Sequence, residues 1–166
     1  MTQEVDQGQF RAAMAQLGAA VNIITTDGPA GRHGITASAV CSVTDAPATL
    51  LVCINHASRM HDIAKDNGLL AVNVLGGGHE ALCALFASNK LSSEERFATG
   101  EWQAMDNGVP GLADALVTFS CRIDKVQDVG THGIFICRVE QLVAQNSGDA
   151  LVYYGRAFHR LSITQS

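Results

Sequence analysis

Val117-Thr118-Phe119-Ser120-Cys121-Arg122-Ile123-Asp124 alternates apolar and polar residues without a break. A period of two puts every second side chain on one face of a strand, so the run predicts a half-buried antiparallel strand over residues 115–126. Phe135, Cys137 and Val139 repeat the pattern against Arg138 and Glu140, and Val129-Gly130-Thr131-His132-Gly133 supplies the bend between the two runs. A long hairpin late in the chain is therefore the anchor of the fold.

Working outward, the upstream segments are also β-rich. The stretch 21–26 is β-branched and apolar, the cluster Asp27-Gly28-Pro29-Ala30-Gly31 reads as a turn, and residues 33–43 resume with small and β-branched side chains,. Gly28, Gly31 and Gly34 are read as turn glycines of that hairpin. Thr49-Leu50-Leu51-Val52-Cys53-Ile54 and the stretch 69–75 lack alternation, as strands covered on both faces would,.

Helices are short. Phe10, Met14 and Leu17 recur at i, i+4 and i+7 before Gly18, predicting an amphipathic helix over residues 7–17,. A second is expected from Ala57-Ser58 to Asn67, closed by Gly68, a third over residues 80–86, and Ser92 with Glu95 has the form of a capping box,. Six or seven strands with hairpin-length connections and inserted helices indicate a mainly β antiparallel barrel, not a βαβ array. The whole of residues 1–166 is expected to form one domain,.

Charged residues are 16% of the chain against 47% apolar, whereas an average globular protein carries roughly 25% charged residues. The surplus apolar surface predicts a partner, most simply a second copy of the chain. With 11 basic against 16 acidic residues and no Lys/Arg cluster, nucleic acid and anionic membrane surfaces are poor partners,. The apolar runs fall far short of the ~20 residues of a membrane helix, and the acidic, polar start is unlike a signal peptide. A cytoplasmic protein is expected.

Cys41, Cys53, Cys83, Cys121 and Cys137 stand without Cys-x-x-Cys spacing, so reduced, buried thiols are predicted,. His56 and His61, the nearest histidine pair, have no Cys or carboxylate at ligand spacing, so no metal site is expected,. The two standard phosphate loops, G-x-G-x-x-G and G-x-x-x-x-G-K-[ST], are absent,.

Three stretches still carry chemistry. Gly34-Ile-Thr-Ala-Ser-Ala-Val-Cys-Ser42 has three hydroxyls and little bulk, which would let a flat heteroaromatic ring approach the backbone, although residue types alone favour an ordinary strand,. Asn55-His56-Ala57-Ser58-Arg59 offers free N–H groups, a hydroxyl and a guanidinium at a helix start, suited to a phosphate; a plain helix cap with a solvated arginine is the equal alternative,. His132 and His159 are loop or strand histidines with the potential to bind or catalyse. No Gly-x-Ser-x-Gly elbow or family-type cysteine context supports nucleophilic hydrolysis.

The segments Phe10-Arg-x-Ala-Met14, Gly18-Ala-Ala-Val-Asn-Ile-Ile-Thr-Thr26, Gly34-Ile-Thr-Ala-Ser-Ala-Val-Cys-Ser-Val-Thr-Asp45 and Leu50-Leu-Val-Cys-Ile-Asn55 resemble the flavin reductase-like domain family. The likeness is to the small reductases of two-component monooxygenases, such as those serving 4-hydroxyphenylacetate 3-monooxygenase and pyrimidine utilisation. It continues through Asn73, Glu94-Glu-Arg-Phe97, Trp102, Val129-Gly-Thr-His132 and Leu151-Val-Tyr-Tyr154 with Phe158-His159.

This resemblance implies a split antiparallel β-barrel of the FMN-binding type. It implies a homodimer that binds FAD or FMN near the subunit interface and reduces it with NADH or NADPH. Reduced flavin would pass to a separate oxygenase. By position, Thr36, Ala37, Ser38, Ser42 and Val43 would lie along the flavin ring and ribityl chain, and Cys53, Ile54 and Asn55 beside the ribityl or adenosine side. Ser58 and Arg59 would meet phosphate, and Phe86 and Ala87 the distal cofactor. His132 would face the nicotinamide as the catalytic residue, with Arg11, Tyr154 and Phe158 near it. The few arginines lean toward NADH, since a 2′-phosphate usually takes a guanidinium. Two further readings share the same flavin site: a reductase of a corrin (cob(II)yrinate-type) or other metal-complex acceptor, and a non-catalytic flavin-binding module.

Overall fold

The structure is a computed structural model and describes residues 4–163. Four helices, α1 (Gln7–Met14), α2 (Arg59–Asn67), α3 (Glu80–Ala87) and α4 (Ser93–Phe97), are set among twelve strands. In chain order these are β1 (Ala19–Ala20), β2 (Asn22–Thr26), β3 (His33–Ala37), β4 (Val40–Asp45), β5 (Ala48–Asn55), β6 (Leu69–Val74), β7 (Trp102–Ala104), β8 (Pro110–Leu112), β9 (Val117–Val129), β10 (His132–Ala144), β11 (Ala150–Tyr154) and β12 (Ala157–Leu161). The fold is mostly β with short helices, as expected.

Seven strands form one antiparallel sheet in the order β3-β2-β6-β9-β10-β5-β4. Its two edges, β3 and β4, are consecutive in the chain and separated only by Ser38 and Ala39. A sheet can meet that constraint only by curling until its edges come together. The edges are not paired with each other, so the barrel stays open along one seam. The single strand expected over residues 33–43 is thus two strands, broken at that seam.

Ile24, Val52, Ile54, Leu70, Val72, Phe135 and Cys137 fill the inside of the curl together with Met60 and Ala64 of α2. A second cluster, Ile23, Leu75, Leu82, Phe86, Leu112 and Leu151, lies on the other face of β2 and β6, under α3 and β8. Both faces of β2 and most of β6 are therefore covered. On β5 the expectation of two covered faces fails: Leu50, Val52 and Ile54 are buried, but Leu51 and Cys53 are only half-buried.

The 117–124 alternation also meets a correction. Phe119 and Ile123 pack on the core as expected, yet the polar face is buried too, with Thr118 and Ser120 enclosed. Thr118 is enclosed because its hydroxyl belongs to a buried network on Asn73. Gly34 is no turn residue; it sits inside β3, where a Cβ would lie 2.7 Å from Phe86 Cε1. Gly28 and Gly31, by contrast, hold positive φ in the turn.

Helix starts follow their sequence signals. Ser58 Oγ accepts from Met60 N–H, Gly68 closes α2 in the left-handed region, and the Ser92–Glu95 capping box forms in both directions,. α1 is three residues shorter than predicted and buries none of its apolar residues. Phe10, Met14 and Leu17 stay exposed. All five cysteines are free, but only Cys83, Cys121 and Cys137 are buried, while Cys53 is half-buried and Cys41 exposed. No helix among the described residues is long and apolar enough to cross a membrane.

Candidate active site

The seam between β3 and β4 is pinned by two backbone bonds: Val40 N–H donates to Ser38 C=O over 2.9 Å and Cys53 N–H to Ala39 C=O over 3.0 Å. A cavity of about 700 Å³ opens on one side of it. Its wall brings together Thr36, Ala37, Ser38, Cys53, Ile54, Asn55, Ser58, Arg59, Phe86, Ala87 and His132. Segments distant in sequence meet here because β10 pairs with β5, placing His132 opposite Asn55.

A second cavity of about 980 Å³ lies across the seam and shares Ser38, Ala39 and Cys53 with the first. It is walled largely by apolar groups, Met14, Leu17, Val40, Leu51 and Val74 among them, and Arg11 lines it. Four expected site residues line neither cavity. Ser42 and Val43 lie on β4 beyond the seam and are exposed. The Tyr154 hydroxyl donates to Gln16 Oε1 at 3.4 Å, and Phe158 packs on Tyr153, ring centroids 5.3 Å apart. Tyr153 and Arg156 are the residues of the β11–β12 hairpin that reach the second cavity.

The first cavity is cationic in an acidic protein. Arg59, Arg96 and His33 line it, and no carboxylate among the described residues does. Burial, then the guanidinium groups of Arg96 and Arg59, push the His33 pKa down to about 4, so its imidazole is neutral at pH 7,. Arg96 is buried; Nη1–H donates to Gly34 C=O and Nη2–H to Ser88 C=O, both over 2.6 Å. Its Nε–H has no partner among the described residues. Arg59, beside the N-terminus of α2, makes no ion pair among them.

Unmatched cationic donors in a walled cavity suit an anion such as a phosphate. The hydroxyl-bearing, low-bulk strand from Thr36 to Ser38 beside them suits a flat ring. The residues present thus fit a phosphorylated flavin.

Sequence reasoning missed His33 and Arg96. Arg96 was visible only as one residue of Glu94-Glu-Arg-Phe97, and nothing local marks an arginine that folds back over β3. His132 opens β10, with the Thr131 hydroxyl 2.9 Å from Nδ1.

Burial raises the pKa of the Cys53 thiol, with Cys41 adding to it, and Cys83 is also raised, chiefly by burial. Neither is activated as a nucleophile.

The flavin reductase like domain family matches residues 14–162. The chain is 52% identical over 157 residues to an FMN reductase (NADH) RutF of Methylorubrum extorquens, covering 95% of this chain and 78% of that protein. It is 51% identical to FMN reductase (NADH) RutF of Pseudomonas syringae pv. syringae, covering 95% and 88% respectively. Among solved structures, BorF, the flavin reductase component of a bacterial two-component tryptophan halogenase, superposes with a TM-score of 0.89 at 27% identity, over 95% of this chain and 99% of that one. With its open seven-stranded curl and a cavity fit for a phosphorylated flavin, the chain belongs to the flavin reductase like domain family.

Proposed function

We propose that the chain oxidises NADH and reduces a diffusible flavin, FMN first, which then leaves for a separate oxygenase component. The observation that carries this reading is the cavity at the seam, where the Thr36–Ala37–Ser38 wall adjoins a cationic end made by Arg59 and Arg96, with a neutral His33 beside them. The names of the half-identical relatives narrow FAD or FMN to FMN, and NADH or NADPH to NADH. BorF, named as one component of a two-component system, supports a separate consumer of the product.

When bound, the flavin would supply a hydride acceptor for the reduced nicotinamide, chemistry that belongs to the two cofactors. The protein's part is placement and electrostatics. Arg59 and Arg96 hold the phosphate; Ser58, committed to capping Met60 N–H, contributes by fixing the helix start. The backbone from Thr36 to Ser38 and from Cys53 to Asn55 flanks the ring and ribityl chain, with Phe86 and Ala87 closing the far side. His132 takes the nicotinamide side, and so do Arg11 and the β11–β12 residues Tyr154 and Phe158 when a second copy of the chain packs against them.

A homodimer accounts for the exposed apolar residues Phe10, Met14, Leu17, Val43, Tyr154 and Phe158, of which Met14 and Leu17 line the second cavity,. The free thiols suit a reducing, cytoplasmic setting,.

The test is NADH oxidation followed with no flavin, FMN, FAD and riboflavin, and repeated with NADPH. We expect flavin-dependent turnover, fastest with NADH and FMN. No flavin-dependent oxidation with either nucleotide overturns the reading.

A further inference from the structure

We propose that His56, His61 and Asp128 form a binding site for a single divalent transition-metal ion, Zn²⁺ in the first instance, beside the rim of the flavin cavity. The sequence separates Asp128 from the two histidines by more than sixty residues; strand pairing brings it back. Asp128 sits opposite Gly133, and Gly133 opposite Ile54, so the end of β9 reaches the segment that leads into α2. One ligand atom from each of the three residues lies within 4.8 Å of the other two.

Individual contacts point the same way. His56 Nε2 is 2.9 Å and His61 Nε2 4.0 Å from Asp128 Oδ1, bracketing the roughly 3.3 Å between ligands around a tetrahedral zinc with bonds of about 2.0–2.1 Å. The two rings meet edge to face with centroids 4.6 Å apart.

His61 supplies the independent sign of a ligand. Its side chain is only 7% exposed, yet Nε2 has no hydrogen-bond partner among the described residues. Asp62 accepts from Nδ1 at 2.8 Å, which fixes the tautomer with its lone pair on Nε2. A carboxylate behind a histidine, with the other nitrogen bare, is the outer-shell arrangement of metal-bound imidazoles. Gly133 spares His61 Nε2 a clash: a Cβ there would lie 2.6 Å from it.

Two nitrogens and a carboxylate oxygen select zinc-like ions over calcium or magnesium, which want oxygen alone. Water completes the fourth position. On loading, His56 adopts the tautomer that carries its proton on Nδ1, and the lone pair so freed on Nε2 binds the ion. His56 and Asp128 are exposed and free to close on it. A bound ion would tie the start of α2 to the β9–β10 turn, one residue from His132.

The experiment is equilibrium dialysis of the chelator-stripped full-length protein against Zn²⁺, with Co²⁺ absorption as a second probe of the ligand set. We expect about one Zn²⁺ per chain and a tetrahedral Co²⁺ visible spectrum. His56→Ala and Asp128→Asn change exposed side chains, so both variants fold. Each should weaken uptake at least about tenfold, while His159→Ala leaves it unchanged. Absence of stoichiometric Zn²⁺ uptake by the parent protein, or equal uptake by both variants, overturns the proposal.

Discussion

Arg96 of α4 reaches over β3 to donate Nη1–H to the carbonyl of Gly34 at 2.6 Å. The same guanidinium bonds Ser88 C=O at the end of α3 and keeps Nε–H unpaired. One buried side chain thus locks α3, α4 and β3 together and puts positive charge into the cavity at the seam. Replacing it separates the two tasks. Arg96→Met strands two carbonyls and should cost about 3 kcal/mol, measured by denaturant unfolding. Arg96→Lys supplies charge but no planar fork, so FMN affinity should fall roughly tenfold while riboflavin affinity barely changes.

Gly34 itself predicts an overpacking effect. A methyl group there meets Phe86 Cε1 at 2.7 Å, Cδ1 at 3.0 Å and Phe97 Cζ at 3.3 Å. Those rings are braced by Trp102, whose centroid lies 5.3 Å from that of Phe86 and 5.0 Å from that of Phe97, and cannot simply swing away. Gly34→Ala should cost about 1–3 kcal/mol. Because Phe86 lines the cavity, flavin affinity should fall as well; an unchanged melting temperature would contradict the packing argument.

His33 makes stability depend on pH in a stated direction. Its folded pKa of about 4 lies below the ordinary histidine value of 6.5, so between these values the unfolded chain binds more protons. Stability from this group is complete above pH 6.5 and is lost as pH falls toward 4, by at most about 3 kcal/mol. His33→Gln retains an acceptor for Arg96, which lies 3.3 Å away, and should flatten that part of the unfolding profile. A bound phosphate offsets the two guanidinium charges, so FMN, and not riboflavin, should raise the His33 pKa in an NMR titration.

His132 tests the division of labour within the site. It shares the cavity wall with the residues proposed to face the flavin but lies at the start of β10, not on the hydroxyl-bearing strand. His132→Ala should leave FMN binding within about twofold and lower kcat with NADH by roughly tenfold or more. The opposite split, intact turnover with lost FMN affinity, would move His132 to the flavin side.

What could be read from the sequence followed how local each signal was. Ser58, Gly68 and the Ser92–Glu95 box announced helix ends because a cap is completed within a few residues. Ten of the twelve flavin-contact residues expected from the resemblance line one cavity, since they lie on two strands and two helix ends that meet at the seam. Alternation in β9 disclosed the strand but not that Thr118 and Ser120 would be enclosed, because a second layer arrives from β8. The unmatched donors of Arg96 and the approach of Asp128 to His56 and His61 depend on pairings more than sixty residues apart, and no window along the chain contains them.

Asn73 ties that second layer to the barrel, and its replacement gives the most discriminating test of the fold. Its Nδ2 donates to Ile23 C=O at 3.0 Å and Thr25 Oγ1 at 3.1 Å. Its Oδ1 accepts from Leu112 N–H at 2.8 Å and Thr118 Oγ1 at 3.0 Å. With the side chain fully buried, Asn73→Leu fills similar volume but orphans Leu112 N–H and forces Thr118 to find another acceptor. The cost should be about 3–5 kcal/mol, and the β7–β8 ribbon carrying Trp102 should loosen first in hydrogen exchange. Asn73→Asp keeps both accepting bonds but turns a carboxylate toward the Ile23 carbonyl. Burial raises such a carboxyl pKa in the fold, so the folded variant binds more protons than the unfolded chain over that window. Its stability relative to the parent protein should therefore recover as pH falls from 7 toward 4, when the protonated carboxyl donates to Ile23 C=O. This trend is opposite in sign to that of His33. A leucine variant with the same relative pH profile as the aspartate variant would show that packing alone, and not the amide's bonds, holds the ribbon.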